Sequence, residues 1–263
     1  MFRLAAAALL VLSSLPLHAA MVSRPIDYEV GGKKMQSVLV YDDASSAPRP
    51  GLVMAPDWLG ITPDNLALAQ RIAGKEYVVL VADVFGRDAR PKNAEEAGAA
   101  TKALYADRAS LRARINAALD QLKAQAGKAP LDGRHWAAFG FCFGGATALD
   151  LARSGADIAG AVSFHGNLAG DAAAKDAIKA KILVLHGADD KFVPPEQITA
   201  FEQEMRDAGA DWQFLSYGGA VHCFAIPTAG GAIPGCRYDE RTARRAYAQM
   251  RAFLDEAFAG AGR

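Results

Sequence analysis

The hexapeptide Gly140-Phe141-Cys142-Phe143-Gly144-Gly145 constrains this chain more than any other stretch. It stands between an apolar run that ends at Phe139 and a helix-forming run, Ala146-Thr147-Ala148-Leu149-Asp150-Leu151-Ala152-Arg153. A strand that turns sharply into a helix strains the residue at the apex, and its neighbours must be small for the two elements to close on each other. Gly140, Gly144 and Gly145 meet that demand, and the apex residue is a thiol. A helix N-terminus stabilises negative charge on sulfur and offers free N–H groups to an oxyanion. The stretch therefore predicts a strand-turn-helix unit and a nucleophile at Cys142.

Strands and helices alternate around that unit. Residues 26–30 and 35–41 alternate apolar and polar side chains about Gly31-Gly32, which predicts an opening antiparallel hairpin. Short apolar runs at 51–55, 77–82, 136–139, 158–164 and 182–185 have the pattern of parallel strands covered on both faces, and 212–217 is the last strand. Helices are predicted over 64–73, 94–104, 110–122, 195–208 and 239–258, with Gly74 ending the first and Pro195 opening the fourth. The order argues an α/β class: a mostly parallel central sheet with helices on both faces and its ligand site at the carboxyl ends of the strands. A chain of 263 residues, 51% hydrophobic, suffices for one such domain over 21–263.

Residues 1–20 read as a secretory signal peptide: Arg3, the apolar run 4–12, Ser13, Ser14 and Pro16, then small residues at Ala19 and Ala20. The apolar run is too short to span a bilayer, so the mature chain is expected to be secreted or periplasmic with no stable membrane insertion. Twenty-nine basic residues balance 29 acidic ones, which argues against nucleic acid or an anionic surface as partner. Three cysteines remain to be placed. In an oxidising compartment Cys223 and Cys236 are expected to pair and leave Cys142 free. No Cys or His spacing suggests a metal. The sequence assigns no oligomeric state.

A thiol nucleophile needs a base, and the base needs a carboxylate to hold its tautomer. In the α/β-hydrolase fold, where serine enzymes place their nucleophile at such a turn, the chain order is nucleophile, acid, histidine. His135 begins the strand that feeds the turn and lies at the wrong end of the sheet, while His165 and His186 come too early. His222 follows the last strand in a loop, Gly218-Gly219-Ala220-Val221-His222, and is the expected base. Asp189 and Asp190 both follow the strand at 182–185, and position alone does not separate them. Ser154 and Ser163 have no such small-x-Ser-x-small setting, which argues against a serine esterase.

In this order the chain resembles the dienelactone hydrolase family of cysteine α/β-hydrolases over most of its mature length. The motifs that carry the likeness are Gly140-Phe-Cys-Phe-Gly-Gly145, Asp190-Lys191-Phe192-Val193-Pro194 and Ala220-Val221-His222-Cys223-Phe224. The resemblance implies an α/β-hydrolase fold, Asp190 as the acid, and an oxyanion hole from the backbone N–H groups of Trp58 and Phe143. It implies hydrolysis of a small ester or lactone by a Cys-His-Asp triad through a thiol acyl-enzyme, with no cofactor. It also places Asp57 where the family has a glutamate that contacts the thiol, and Ile226 where dienelactone-cleaving members have a carboxylate-binding arginine. Recognition of a substrate carboxylate is accordingly expected to be weak, with Lys102, Arg108 and Arg112 as substitute cations. Phe141, Phe164 and Ile226 are expected to line an apolar substrate pocket. The competing reading is a non-hydrolytic thiol, redox or binding protein on the same fold.

Overall fold

Gly31 and Gly32 both take positive φ, 55° and 76°, the geometry of a two-residue turn between right-twisted strands. They join β1 (Met21–Val30) to β2 (Lys33–Asp42), which pair antiparallel in register from Val30↔Lys33 outward to Met21↔Asp42. The structure, a computed structural model, describes residues 21–260 apart from 172, 174 and 175. The signal peptide expected at 1–20 lies outside the described residues.

Six more strands follow: β3 (Arg49–Ala55), β4 (Val78–Val81), β5 (Leu131–Phe141), β6 (Gly160–Phe164), β7 (Lys181–Gly187) and β8 (Trp212–Tyr217). They form one eight-stranded sheet in the order β1-β2-β4-β3-β5-β6-β7-β8. The pairs β1/β2 and β2/β4 are antiparallel, and every later pair is parallel. Parallel neighbours need crossovers, and helices α1 (Pro63–Ala73), α2 (Ala94–Ala106), α3 (Arg108–Lys123), α4 (Phe143–Arg153), α5 (Pro195–Asp207) and α6 (Glu240–Gly260) fall in the connections or close the chain. This is the α/β-hydrolase arrangement.

Alternation along the buried strands divides the core in two. Leu52, Met54, Phe139, Val162, Leu183 and Leu185 face α1 and α6, while Val53, Ala138, Ala161, Ile182 and Val184 face the layer of α2 to α5. Local signals set the helix ends: Thr62 accepts from the Asn65 N–H at 3.2 Å ahead of Pro63, and Asn93 accepts from the Glu96 N–H at 2.9 Å. Strand β5 begins earlier than the apolar run predicts. Asp132 folds the polar stretch Asp132-Gly133-Arg134-His135 by accepting from the Arg134 and His135 N–H groups, each at 2.9 Å.

Candidate active site

Strand β5 ends at Phe141, and the chain turns at Cys142 with φ 55° and ψ −116° before α4 begins at Phe143. A positive φ on a residue with a side chain is strained, and the surroundings must over-determine it. They do. The Cys142 N–H donates to the Phe164 carbonyl at 3.0 Å, and the Cys142 carbonyl accepts from Gly145 and Ala146 at 3.0 and 3.3 Å. A Cβ on Gly140 would land on the Gly144 carbonyl, and one on Gly144 would land on the Ala55 carbonyl. The three backbones touch, so only glycine fits between them. The thiol is free and partly exposed.

Strand β7 delivers the acid. The Asp190 N–H donates to the Gly187 carbonyl at 3.0 Å, which curls the loop so that the carboxylate turns inward. Its Oδ1 accepts from the Phe192 N–H at 2.8 Å, and its Oδ2 lies 2.7 Å from His222 Nδ1. Asp189 is exposed, and its backbone N–H donates to the Ala220 carbonyl. Geometry thus separates two aspartates that spacing left equivalent. Burial alone would lower the His222 pKa, but hydrogen bonds to the Asp190 carboxylate and the Cys142 sulfur outweigh it and raise the value to about 10. These bonds favour the protonated ring, which is set between sulfur and carboxylate. His165 packs edge-on against it at 4.8 Å and is held neutral, its pKa pushed well down by burial and by the nearby His222. His186 is buried against Phe214, and His135 bonds Asp132 at the opposite end of the sheet.

Trp58 and Phe143, expected to supply the oxyanion N–H groups, both stand at the cavity that holds Cys142. Phe143 is the first residue of α4, where a backbone N–H has no partner within the helix. In the turn after β3, the Leu59 N–H donates to Asp57 Oδ1 and the Gly60 N–H to the Asp57 carbonyl, each at 2.9 Å, which leaves the Trp58 N–H uncommitted in that turn. Asp57 itself does not meet the thiol. Its Oδ1 also accepts from Asn65 Nδ2 at 3.0 Å, and burial raises its pKa. The contact expected for Asp57 is replaced by a loop-capping role, because the short side chain closes on its own turn.

Cys142 and His222 open into a cavity of about 300 Å³ lined by Trp58, Tyr105, Phe143, Phe192, Val193 and Ile233 among others. The expected pocket residues lie elsewhere. Phe141 shares the face of Phe139 on β5 and stacks on Phe164 at 4.7 Å, so both belong to the core toward α6. Ile226 lies beside Asp57 in a separate cleft of about 120 Å³. Thr101 and Tyr105 of α2 and Asn167 line the cavity without any spacing signal, whereas Phe192 and Val193 stand in the acid motif and carried that signal unread. Burial and the nearby Cys142 raise the pKa of Tyr105, which keeps its hydroxyl protonated. The expected substitute cations do not serve the cavity. Arg108 and Arg112 both pair with the buried Asp150, at 2.6 and 3.3 Å, and Lys102 is exposed. Among the described residues, no group of three or more His, Cys, Asp or Glu could hold a metal, and no helix is long and apolar enough to cross a membrane.

Known proteins share this fold. A dienelactone hydrolase-like promiscuous phosphotriesterase, P91, from metagenomic libraries superposes with a TM-score of 0.84 at 40% identity, covering 90% of this chain and 99% of its own. An uncharacterized protein of Caenorhabditis elegans is 38% identical over 57% of this chain and 95% of its own length. A putative carboxymethylenebutenolidase of Escherichia coli K12 is 23% identical over 80% of this chain and 83% of its own. The sequence profile of the dienelactone hydrolase family matches residues 35–258. With that match over most of its length, the chain belongs to the dienelactone hydrolase family and is a carboxylic ester or lactone hydrolase.

Proposed function

We propose that the protein cleaves small, uncharged, apolar esters or lactones with Cys142 as nucleophile, His222 as proton carrier and Asp190 as its orienting carboxylate. The observation that carries this reading is the hydrogen-bonded line from the Cys142 sulfur through His222 to Asp190, ending in an apolar cavity that no described lysine or arginine lines. The Cys142 sulfur adds to the carbonyl carbon as a thiolate, and the Trp58 and Phe143 N–H groups hold the oxyanion. Collapse expels the alkoxide, which takes the imidazolium proton from His222 and leaves a thioester on Cys142. Neutral His222 then removes a proton from a water molecule, whose oxygen attacks the thioester. The acid departs, and sulfur and imidazolium are restored.

Two of the exposed large apolar side chains, Phe192 at 50% and Ile233 at 43%, stand at this cavity and would greet an apolar substituent rather than a charged one. Cys142→Ala should abolish hydrolysis of p-nitrophenyl acetate while the fold is kept. Aryl esters bearing a remote carboxylate should show at least about tenfold lower kcat/KM than neutral ones of equal size, the cost of burying an unpaired charge. Equal rates for the two classes would refute the substrate assignment, and a retained rate in Cys142→Ala the nucleophile. A neutral phosphotriester meets the same requirements, and the solved relative that is 40% identical is a promiscuous phosphotriesterase. Slow turnover of paraoxon, also lost in Cys142→Ala, is the expected side activity. Export is part of the proposal, supported by the leader-like residues 1–20; fractionation of the producing cell tests it.

A further inference from the structure

The loop that carries His222 is closed by a disulfide whose two halves stand at the histidine itself. Cys223 follows His222 directly and takes φ 62°, an uncommon conformation for a residue with a side chain. Cys236, its partner, lies opposite His222 in an isolated parallel bridge, and the next residue, Arg237, donates its N–H to the His222 carbonyl at 3.0 Å. Both half-cystines line the cavity into which Cys142 opens. Beyond the buried Ala220, Phe224 and Ala225 the loop is open on both sides of this anchor. Gly218 and Gly219 precede His222 with nothing within 4 Å of a Cβ position, and residues 230–235 are all exposed.

We infer that the Cys223–Cys236 disulfide is a positioning element of the active site, which fixes His222 against Cys142 and walls the acyl cavity, so that turnover needs an oxidised pair and a reduced thiol in one cavity. The inference rests on the Cys142-His222-Asp190 reading above. Its physical basis is the freedom the bridge removes. Phe224 and Ala225 are buried, and the Phe224 carbonyl accepts from the Asp239 N–H, so the segment the bridge restrains is 227–235, where residues 230–235 are all exposed and Ile233 stands 43% exposed at the cavity. The ring of His222 is packed by His165 and Phe192, at 4.8 and 4.9 Å, but Phe192 is itself half exposed and yields if the facing loop moves. A displacement of about 1 Å at a reacting group costs about 10²-fold in rate. Hydrolases that use a thiol are protected by reductants. This one should be inactivated, as an added dithiol transfers two electrons and two protons to the bridge and is itself oxidised to a cyclic disulfide.

The test compares p-nitrophenyl acetate kinetics of the wild type, the wild type reduced with dithiothreitol and desalted, Cys223→Ala/Cys236→Ala, and Cys142→Ala. Alkylation under non-reducing conditions should block one cysteine in the wild type and three after reduction. With the bridge open, kcat per titratable active site should fall about 10- to 100-fold and KM should rise, and reoxidation should restore both. A bridge serving stability alone would lower the melting temperature and leave kcat per site unchanged, and that result overturns the inference. If the double variant does not fold, the wild type is followed during reduction by activity and far-UV circular dichroism together. Activity lost ahead of ellipticity supports positioning; loss in parallel overturns it. Esterase activity retained in Cys142→Ala would instead sink the nucleophile assignment on which the inference stands.

Discussion

Replacing Asp190 by asparagine should remove nearly all activity while leaving the fold in place, and the structure shows why the loss is large. In Asp190→Asn the amide oxygen can keep the Phe192 N–H at 2.8 Å, which turns the NH2 group to where the carboxylate Oδ2 now lies, 2.7 Å from His222 Nδ1. Two donors cannot face each other, so the ring must present the Nδ1 lone pair to the amide and carry its proton on Nε2, toward the sulfur. In that tautomer the imidazole has no lone pair with which to take a proton from thiol or water. The imidazolium also loses the carboxylate that balances it in a buried site. Inverting the tautomer in a triad costs about 10⁴-fold, or about 5 kcal/mol in activation free energy. Steady-state hydrolysis of p-nitrophenyl acetate reads it directly, with a thermal melt to confirm folding. Asp189→Asn is the matched control, because that side chain is exposed and only its backbone N–H is engaged. More than about a tenth of the wild-type kcat/KM in Asp190→Asn would refute the tautomer argument.

Asp57→Asn should leave kcat/KM within about twofold and raise the melting temperature at pH 7, because Oδ1 keeps its two donors while a buried carboxylate held above its ordinary pKa loses its charge; a tenfold loss of activity would restore the thiol contact. His222, raised from 6.5 to about 10 in the fold, contributes stability that is complete below about pH 6.5 and lost as pH rises through about 10. Urea midpoints should therefore fall between pH 8 and 10.5 in the wild type and change less in His222→Gln. Gly140→Ala should cost about 3 kcal/mol or more, or prevent folding, since its Cβ meets the Gly144 backbone rather than a side chain that can move; expression and urea unfolding check it.

The fold was legible because its signals are local and repeated. Unbroken apolar runs marked the covered strands, Gly31-Gly32 marked the hairpin, and the glycines around Cys142 marked the strand-to-helix turn. What the runs concealed was extent. Polar side chains at Asp132, Arg134 and His135 hid the first five residues of β5, where Leu131 pairs with Arg49 and the Asp132 turn then carries the chain to the next pair, Trp136 with Gly51.

The site was legible where chain order and chemistry both restrict the choice, and illegible where a side chain's direction decides. Cys142, Asp190 and His222 come together as their order implies, yet the pocket assignment failed by one step of strand alternation. Phe141 is sequence neighbour to the nucleophile, but parity with Phe139 sends it into the core beneath, and the walls come from α2, the start of α4 and the loops after β3, β6, β7 and β8. The missing cation has the same origin. Arg108 and Arg112 stand within reach by position, but Asp150, buried on α4 a little over two turns past the thiol, pairs with both. Asp150 thus engages both arginines, with Asp171 sharing Arg112, and on the proposed reading a residue that touches no substrate bears on which substrate charge the cavity accepts.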